Sequence, residues 1–205
     1  GAERLPGMIL WWASTQGPQQ IPGEYTVKLN VNGTDYSQPY TVLADPRSEA
    51  TVADMQAQFD FISDVNETVD HAHQSIKKIR NINAQLSAFE KQYKDNPDTE
   101  ELREKSKTLR EDLEEIEKAL YQTKNRSGQD PLNFPIKLTN KLAHLNSLVS
   151  MGDFAPTDQD IAVKDELTAQ INEQLKAFNA LVADRINDFN LDFNARNLKY
   201  LFIED

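Results

Sequence analysis

His71 and His73 are the only close pair of histidines in the sequence, so a catalytic or metal-binding reading starts from them. Two positions apart on a helix, their side chains diverge by about 200° and cannot share one ion. His144 lies far along the chain, and no His-Glu-x-x-His pattern joins it to the pair. Nucleophilic catalysis needs a serine beside a base and an oxyanion hole. Gly-x-Ser-x-Gly does not occur, and Ser127-Gly128 sits in a polar stretch with no histidine nearby. Neither a phosphate-cradling P-loop nor a dinucleotide fingerprint is present. With no cysteine in the chain, disulfides, thiol chemistry and thiolate metal sites are excluded. The residues therefore predict neither a metal nor a cofactor.

Carboxylates are abundant, and their placement decides how they are read. Glu111, Asp112, Glu114, Glu115 and Glu117 fall between the apolar positions of one helical stretch, where solvated acids belong. Acid–base work needs carboxylates in a cleft with divergent pKa values, which this pattern does not supply. Asp153, Asp158 and Asp160 suggest calcium, but the EF-hand glycine and closing glutamate are missing, and helix capping by Asp158 accounts better for that residue. Asn32-Gly-Thr, Asn66-Glu-Thr and Asn125-Arg-Ser match glycosylation sequons, although a turn already explains Asn32. What remains is aromatic. Trp11, Trp12, Tyr25, Tyr36 and Tyr40 form the candidate interaction surface, either as packing for the β region or as a platform for stacking carbohydrate.

The elements that must position these residues fall into two kinds. Tyr25, Val27, Leu29 and Val31 alternate with Thr26, Lys28 and Asn30, the period-two signature of a half-buried strand. Asn32-Gly33 comes next, the dipeptide that best tolerates the two positive φ values of a type I′ turn. Tyr36, Tyr40, Thr41 and Val42 make the return strand, with Pro39 at an edge or bulge. A lone hairpin is marginal in water, so residues 8–13 are expected to add a strand. Asp45-Pro46 ends the β region, and Ser48 or Thr51 caps the first helix.

From about 51 to 93 there is neither Gly nor Pro, and apolar residues recur in one helical stripe. Asn96-Pro97-Asp98 breaks it, with Asp98 and Glu101 at capping-box spacing. Leu102, Ser106, Leu109, Leu113, Ile116 and Leu120 then run in a heptad seam over about 98–125. The short joint makes these two helices antiparallel neighbours. A third helix is expected over about 136–150, and a fourth from Thr157 or Asp158 to about 188. The pattern leaves the tail from Phe189 onward unassigned. The fold class is therefore α+β: a partial Ig-like β-hairpin region over 1–47, then an antiparallel helical bundle over 48–205. A long protruding helical hairpin, coiled-coil in character, occupies about 76–125.

The formal net charge is −11. Four acids and three bases precede residue 48, so −10 falls on the rest. Such a surface repels phosphate backbones and anionic lipid, and the Lys77-Lys78-Ile79-Arg80 run reads as a solvated helix face. No run of about 18 apolar residues is present to span a membrane. Neither nucleic acid nor a membrane span is expected.

The stretch Pro22-Gly-Glu-Tyr-Thr-Val-Lys-Leu-Asn-Val-Asn-Gly33, continued by Tyr36-Ser-Gln-Pro-Tyr-Thr-Val42 and Asp45-Pro-Arg47, resembles a segment of secreted bacterial sortilin-like β-propeller proteins, the BNR-repeat, glycosyl-hydrolase-like group. Pro6-Gly-Met-Ile-Leu-Trp11 and Met151-Gly152 through Ala155-Pro156-Thr157 are also similar to that family. Its sharp motifs occupy about residues 6–47. The resemblance implies a C-terminal accessory region placed after the propeller, extracytoplasmic, and without the family's own ligand or catalytic site. The expected function is a non-catalytic module that docks on its own N-terminal β-propeller or another protein, with carbohydrate binding through the exposed aromatics as the alternative.

Overall fold

The computed structural model of the chain describes residues 1–199. It is a mixed fold in which a two-stranded antiparallel sheet is followed by four helical rods. Strand β1 (Gly23–Val31) pairs with β2 (Thr34–Val42) through a turn at Asn32-Gly33. Their φ values of 51° and 85° are the left-handed pair that the sequence demands. Tyr25 stands opposite Tyr40 and Leu29 opposite Tyr36.

Helix α1 (Val52–Gln92) has 41 residues and is therefore about 60 Å long. Thr51 starts it with a capping box closed by Asp54, whose carboxyl is held below its ordinary range by the Thr51 hydroxyl and backbone N–H. After a 3-10 turn at Pro97–Thr99, α2 (Glu100–Leu120) returns antiparallel. Asp98 does not cap it as its spacing predicts; the Asn96 side chain caps the 3-10 turn instead. Helix α3 is Leu138–Val149, and α4 (Asp158–Leu181) starts on a second capping box, Thr157 with Asp160. A π-helical turn at Val182–Ile186 leads without a break into α5 (Asn187–Ala195). The tail thus begins as helix, while residues 200–205 lie outside the described range.

One apolar core joins these rods. Val65, Val69, Ala72, Ile76 and Ile79 of α1 meet Leu102, Leu113 and Leu120 of α2, Leu142 and Ala143 of α3, and Ile171 of α4, all fully buried. Ser106 interrupts the α2 seam and is satisfied there, its hydroxyl donating to Glu90 Oε1 at 2.7 Å.

Three expectations need correction. The helical hairpin does not protrude, because α4 and α5 run along it. Phe89 packs edge-on against Phe189 and Phe193, Lys105 pairs with Asp192 at 2.9 Å, and Arg185 pairs with Asp112. Residues 8–13 form no strand, so the sheet keeps two members among the described residues and no sandwich is assembled. The first 17 residues also do not pack with the hairpin. Ala2, Leu5 and Met8 are buried in the same core as the helices. The physical reason is the spacing of three between those apolar residues, which suits a groove between helices better than a pleated ladder.

Candidate functional site

The hairpin sorts its side chains by chemistry onto two faces. Tyr25, Val27, Leu29, Val31, Tyr36 and Tyr40 point one way, with the uncharged Thr34 and Gln38 among them, and Glu24, Thr26, Lys28, Asn30, Asp35, Ser37, Pro39 and Thr41 point the other. The apolar face carries no charge. Yet every hairpin residue except Tyr25 and Val42 is exposed, with Leu29 at 60% and Tyr36 at 59%. No helix among the described residues covers it. Tyr25 and Tyr40 stack on each other with centroids 5.7 Å apart, and the Tyr25 hydroxyl donates to the Ile21 carbonyl. A strand pattern that predicts one buried face therefore finds that face open to solvent.

Trp11 and Trp12 lie elsewhere. Residues 1–17 form a closed loop, with Ala2 N–H donating to Thr15 O at 2.9 Å, laid over α1, α2 and α3. The outgoing arm is fixed at Glu3, whose N–H donates to Asp70 Oδ1 and whose carbonyl lies 2.6 Å from His73 Nδ1. The chain turns at Gly7 (φ 76°), and Arg4 donates twice to Met8 O. The returning arm is held almost entirely by side chains. Tyr121 Oη accepts from Ile9 N–H, Asn140 clasps both backbone groups of Trp11, and His144 Nδ1 meets Trp12 O. Asn146 Nδ2 donates to Ser14 O and to Asn66 Oδ1, while Asn66 Nδ2 donates to Gln16 O. Trp12 sits at φ 51° and is 71% exposed.

The candidate aromatics thus divide into two groups. The hairpin face gathers Tyr25, Tyr36 and Tyr40; the loop over α3 carries Trp11 and Trp12, tilted against each other at 6.4 Å. Sequence reading missed the residues that hold that loop: Asn66, Asn140, Asn146, His73 and Tyr121 are all buried. A polar residue amid the apolar run of α3, such as Asn140 or Asn146, was the one available signal.

Among the titratable groups, His73 is fully buried and His71 exposed, as divergent positions on one helix require. Burial lowers the His73 pKa, outweighing the Glu3 carbonyl, Asp70 and Glu3 carboxylates, which act the other way; Arg4 adds to the lowering. A neutral ring facing a carbonyl must carry its proton on Nδ1, leaving Nε2 buried without a partner. Among the described residues, no group of three or more His, Asp or Glu is placed to hold a metal ion. Asn66 and Asn125 are buried within their sequons, and Asn32 stands exposed at the turn.

Two of the clefts on the described surface border the aromatic residues of the helices. One, of about 460 Å³, is apolar and lies between α1 and α5, lined by Leu86, Phe89, Phe189 and Phe193. The other, of about 630 Å³, is polar and lies beside Tyr121, where Arg80 pairs with Glu117 at 2.8 Å and stacks on the Tyr121 ring. Neither cleft brings a nucleophile to a base. No described helix is long and apolar enough to cross a membrane. Compared with protein-family models, curated proteins and solved structures, the chain matches none.

Proposed function

We propose that this chain is a non-catalytic accessory module of a larger, extracytoplasmic protein, and that the β1–β2 hairpin docks by its apolar face onto a β-domain of the same polypeptide, completing an Ig-like layer. One observation carries the reading: Val27, Leu29, Val31, Tyr36 and Tyr40 share a charge-free face and are all more than 40% exposed. Alternation of this kind stabilises a sheet only when one face is covered.

The size of the face argues for a tethered partner. Nine residues per strand give a face about 30 Å long and about 10 Å wide. That is well below the roughly 800 Å² per partner of a stable complex between free proteins. Tethering raises the effective concentration and offsets the deficit. The sequence resemblance to sortilin-like propeller proteins agrees with such a partner, and the helical part then serves as a rigid mount for the hairpin. Co-expression with a propeller domain of that family tests the reading. Co-purification that is lost in the Val27→Asp, Leu29→Asp double variant is the expected result, and absence of any co-purification contradicts it.

Carbohydrate binding is the second reading, and the 71% exposed Trp12 favours it. The stacked Tyr25 and Tyr40 do not, since their ring faces are turned to each other. Retention on a polysaccharide column that disappears in Trp12→Ala would support it.

A further inference from the structure

The arm from Ile9 to Gln16 is bound the way a ligand is bound. Seven of its backbone groups are engaged from outside the loop: Ile9 N–H, both groups of Trp11, Trp12 O, both groups of Ser14, and Gln16 O, while Thr15 O and Gln16 N–H bond within the loop, to Ala2 N–H and Ser14 Oγ. Six of these seven partners are side chains, from Tyr121, Asn140, His144, Asn146 and Asn66; only Ser14 N–H uses a backbone carbonyl, that of Ala143. Amide side chains that clasp main-chain N–H and C=O read an extended peptide whatever its sequence. The arm itself adds little to the core, for only Leu10 and Ala13 are packed against it. The apolar anchors are instead Ala2, Leu5 and Met8 on the outgoing arm.

Two further features separate this arm from an ordinary core segment. Trp12 holds a left-handed φ of 51°, a strained state for a bulky residue that weakens the hold of the groove on this segment equally whether it comes from its own chain or from a second copy. The connection to β1, residues 17–22, has Gly17, Pro18 and Pro22 and no regular structure, which leaves it free to act as a hinge.

We propose that the groove over α1 and α3 is a peptide-binding site occupied in cis by residues 2–16, and that its partner is the same segment of a second copy, exchanged reciprocally about a two-fold axis. An identical segment makes identical contacts, and such an exchange closes as a symmetric pair. The exchange is independent of docking by the hairpin.

Both tryptophans of the chain lie on the arm, so 5-fluorotryptophan labelling with fluorine NMR reports its state in the intact protein. Unlabelled synthetic peptide of residues 1–17 is titrated in. Because the tethered arm competes at an effective concentration of about a millimolar, displacement is expected with a midpoint in that range. It appears as a second pair of fluorine signals at free-segment shifts, while helical circular dichroism is unchanged. A peptide with glycine at the Trp12 position should act at a concentration at least about threefold lower, because glycine relieves the positive φ. Peptide carrying Leu5→Asp and Met8→Asp should displace nothing. Light scattering at about millimolar chain should detect dimer. Unchanged fluorine spectra, displacement accompanied by loss of helix, equal action of the anchorless peptide, or a strictly monomeric chain would each overturn the proposal.

Discussion

Asn140 holds Trp11 by both of its backbone groups. Its Oδ1 accepts from the Trp11 N–H at 2.6 Å, and its Nδ2 donates to the Trp11 carbonyl at 2.9 Å. The two residues are 129 positions apart in sequence, and Asn140 is 4% exposed. This amide joins the N-terminal loop to α3. Asn140→Ala removes both bonds and leaves two main-chain groups short of partners, so it should cost about 2–3 kcal/mol by urea unfolding. Asn140→Asp keeps the acceptor but not the donor, and a smaller loss is expected. Equal stability of wild type and Asn140→Ala would show that the clasp is dispensable.

His73 gives the stability an acid-side slope. Its folded pKa lies below the ordinary value of about 6.5 because its ring is buried. The unfolded chain therefore binds more protons than the folded one once pH falls through that value, and stability drops as pH is lowered from neutral. The loss levels off below the folded pKa. His73→Asn, which still offers a donor at the Nδ1 position to the Glu3 carbonyl, should flatten this part of the profile. Urea midpoints measured from pH 7.5 to 5 decide it; an unchanged slope in the variant would assign the effect to other groups.

Thr157 caps α4 with its side chain accepting from Asp160 N–H. Thr157→Ala is expected to lower stability by about 1 kcal/mol, and Thr157→Ser to restore most of it. Thermal melts followed at the helical signal test the pair.

The hairpin should be energetically separate from the helices. Leu29 is 60% exposed, so Leu29→Thr should leave the helical unfolding transition within about 0.5 kcal/mol of wild type. A large shift in that transition would mean that the apolar face is already covered by the helical part.

Local structure was legible where a few adjacent residues decide it. Asn32-Gly33 dictated the turn and hence the register that sets Tyr25 against Tyr40. Prolines marked the breaks between α1, α2, α3 and α4, polar caps at Thr51 and Thr157 marked the starts of α1 and α4, and the heptad run marked the face of α2 that is buried. The tertiary relationships were not legible. Nothing near Asn66, Asn140 or Asn146 in sequence indicates that they reach a backbone 50 to 132 positions away. Likewise the period-two alternation of β1 predicts a covered face but not what covers it. Trp11 and Trp12 read as strand residues on composition, yet the anchors Ala2, Leu5 and Met8 carry their segment into the helical groove instead.

Amide hydrogen exchange of the hairpin bears most directly on the docking account. With the chain alone, the amides of β1 and β2 should exchange far faster than those of Val65 to Ile79 in α1, as expected for an uncovered two-stranded ribbon. Bound to a partner β-domain, the same amides should slow by about 100-fold or more while α1 is unaffected. Hairpin amides already as protected as α1 in the chain alone, or unchanged by the partner, would contradict it.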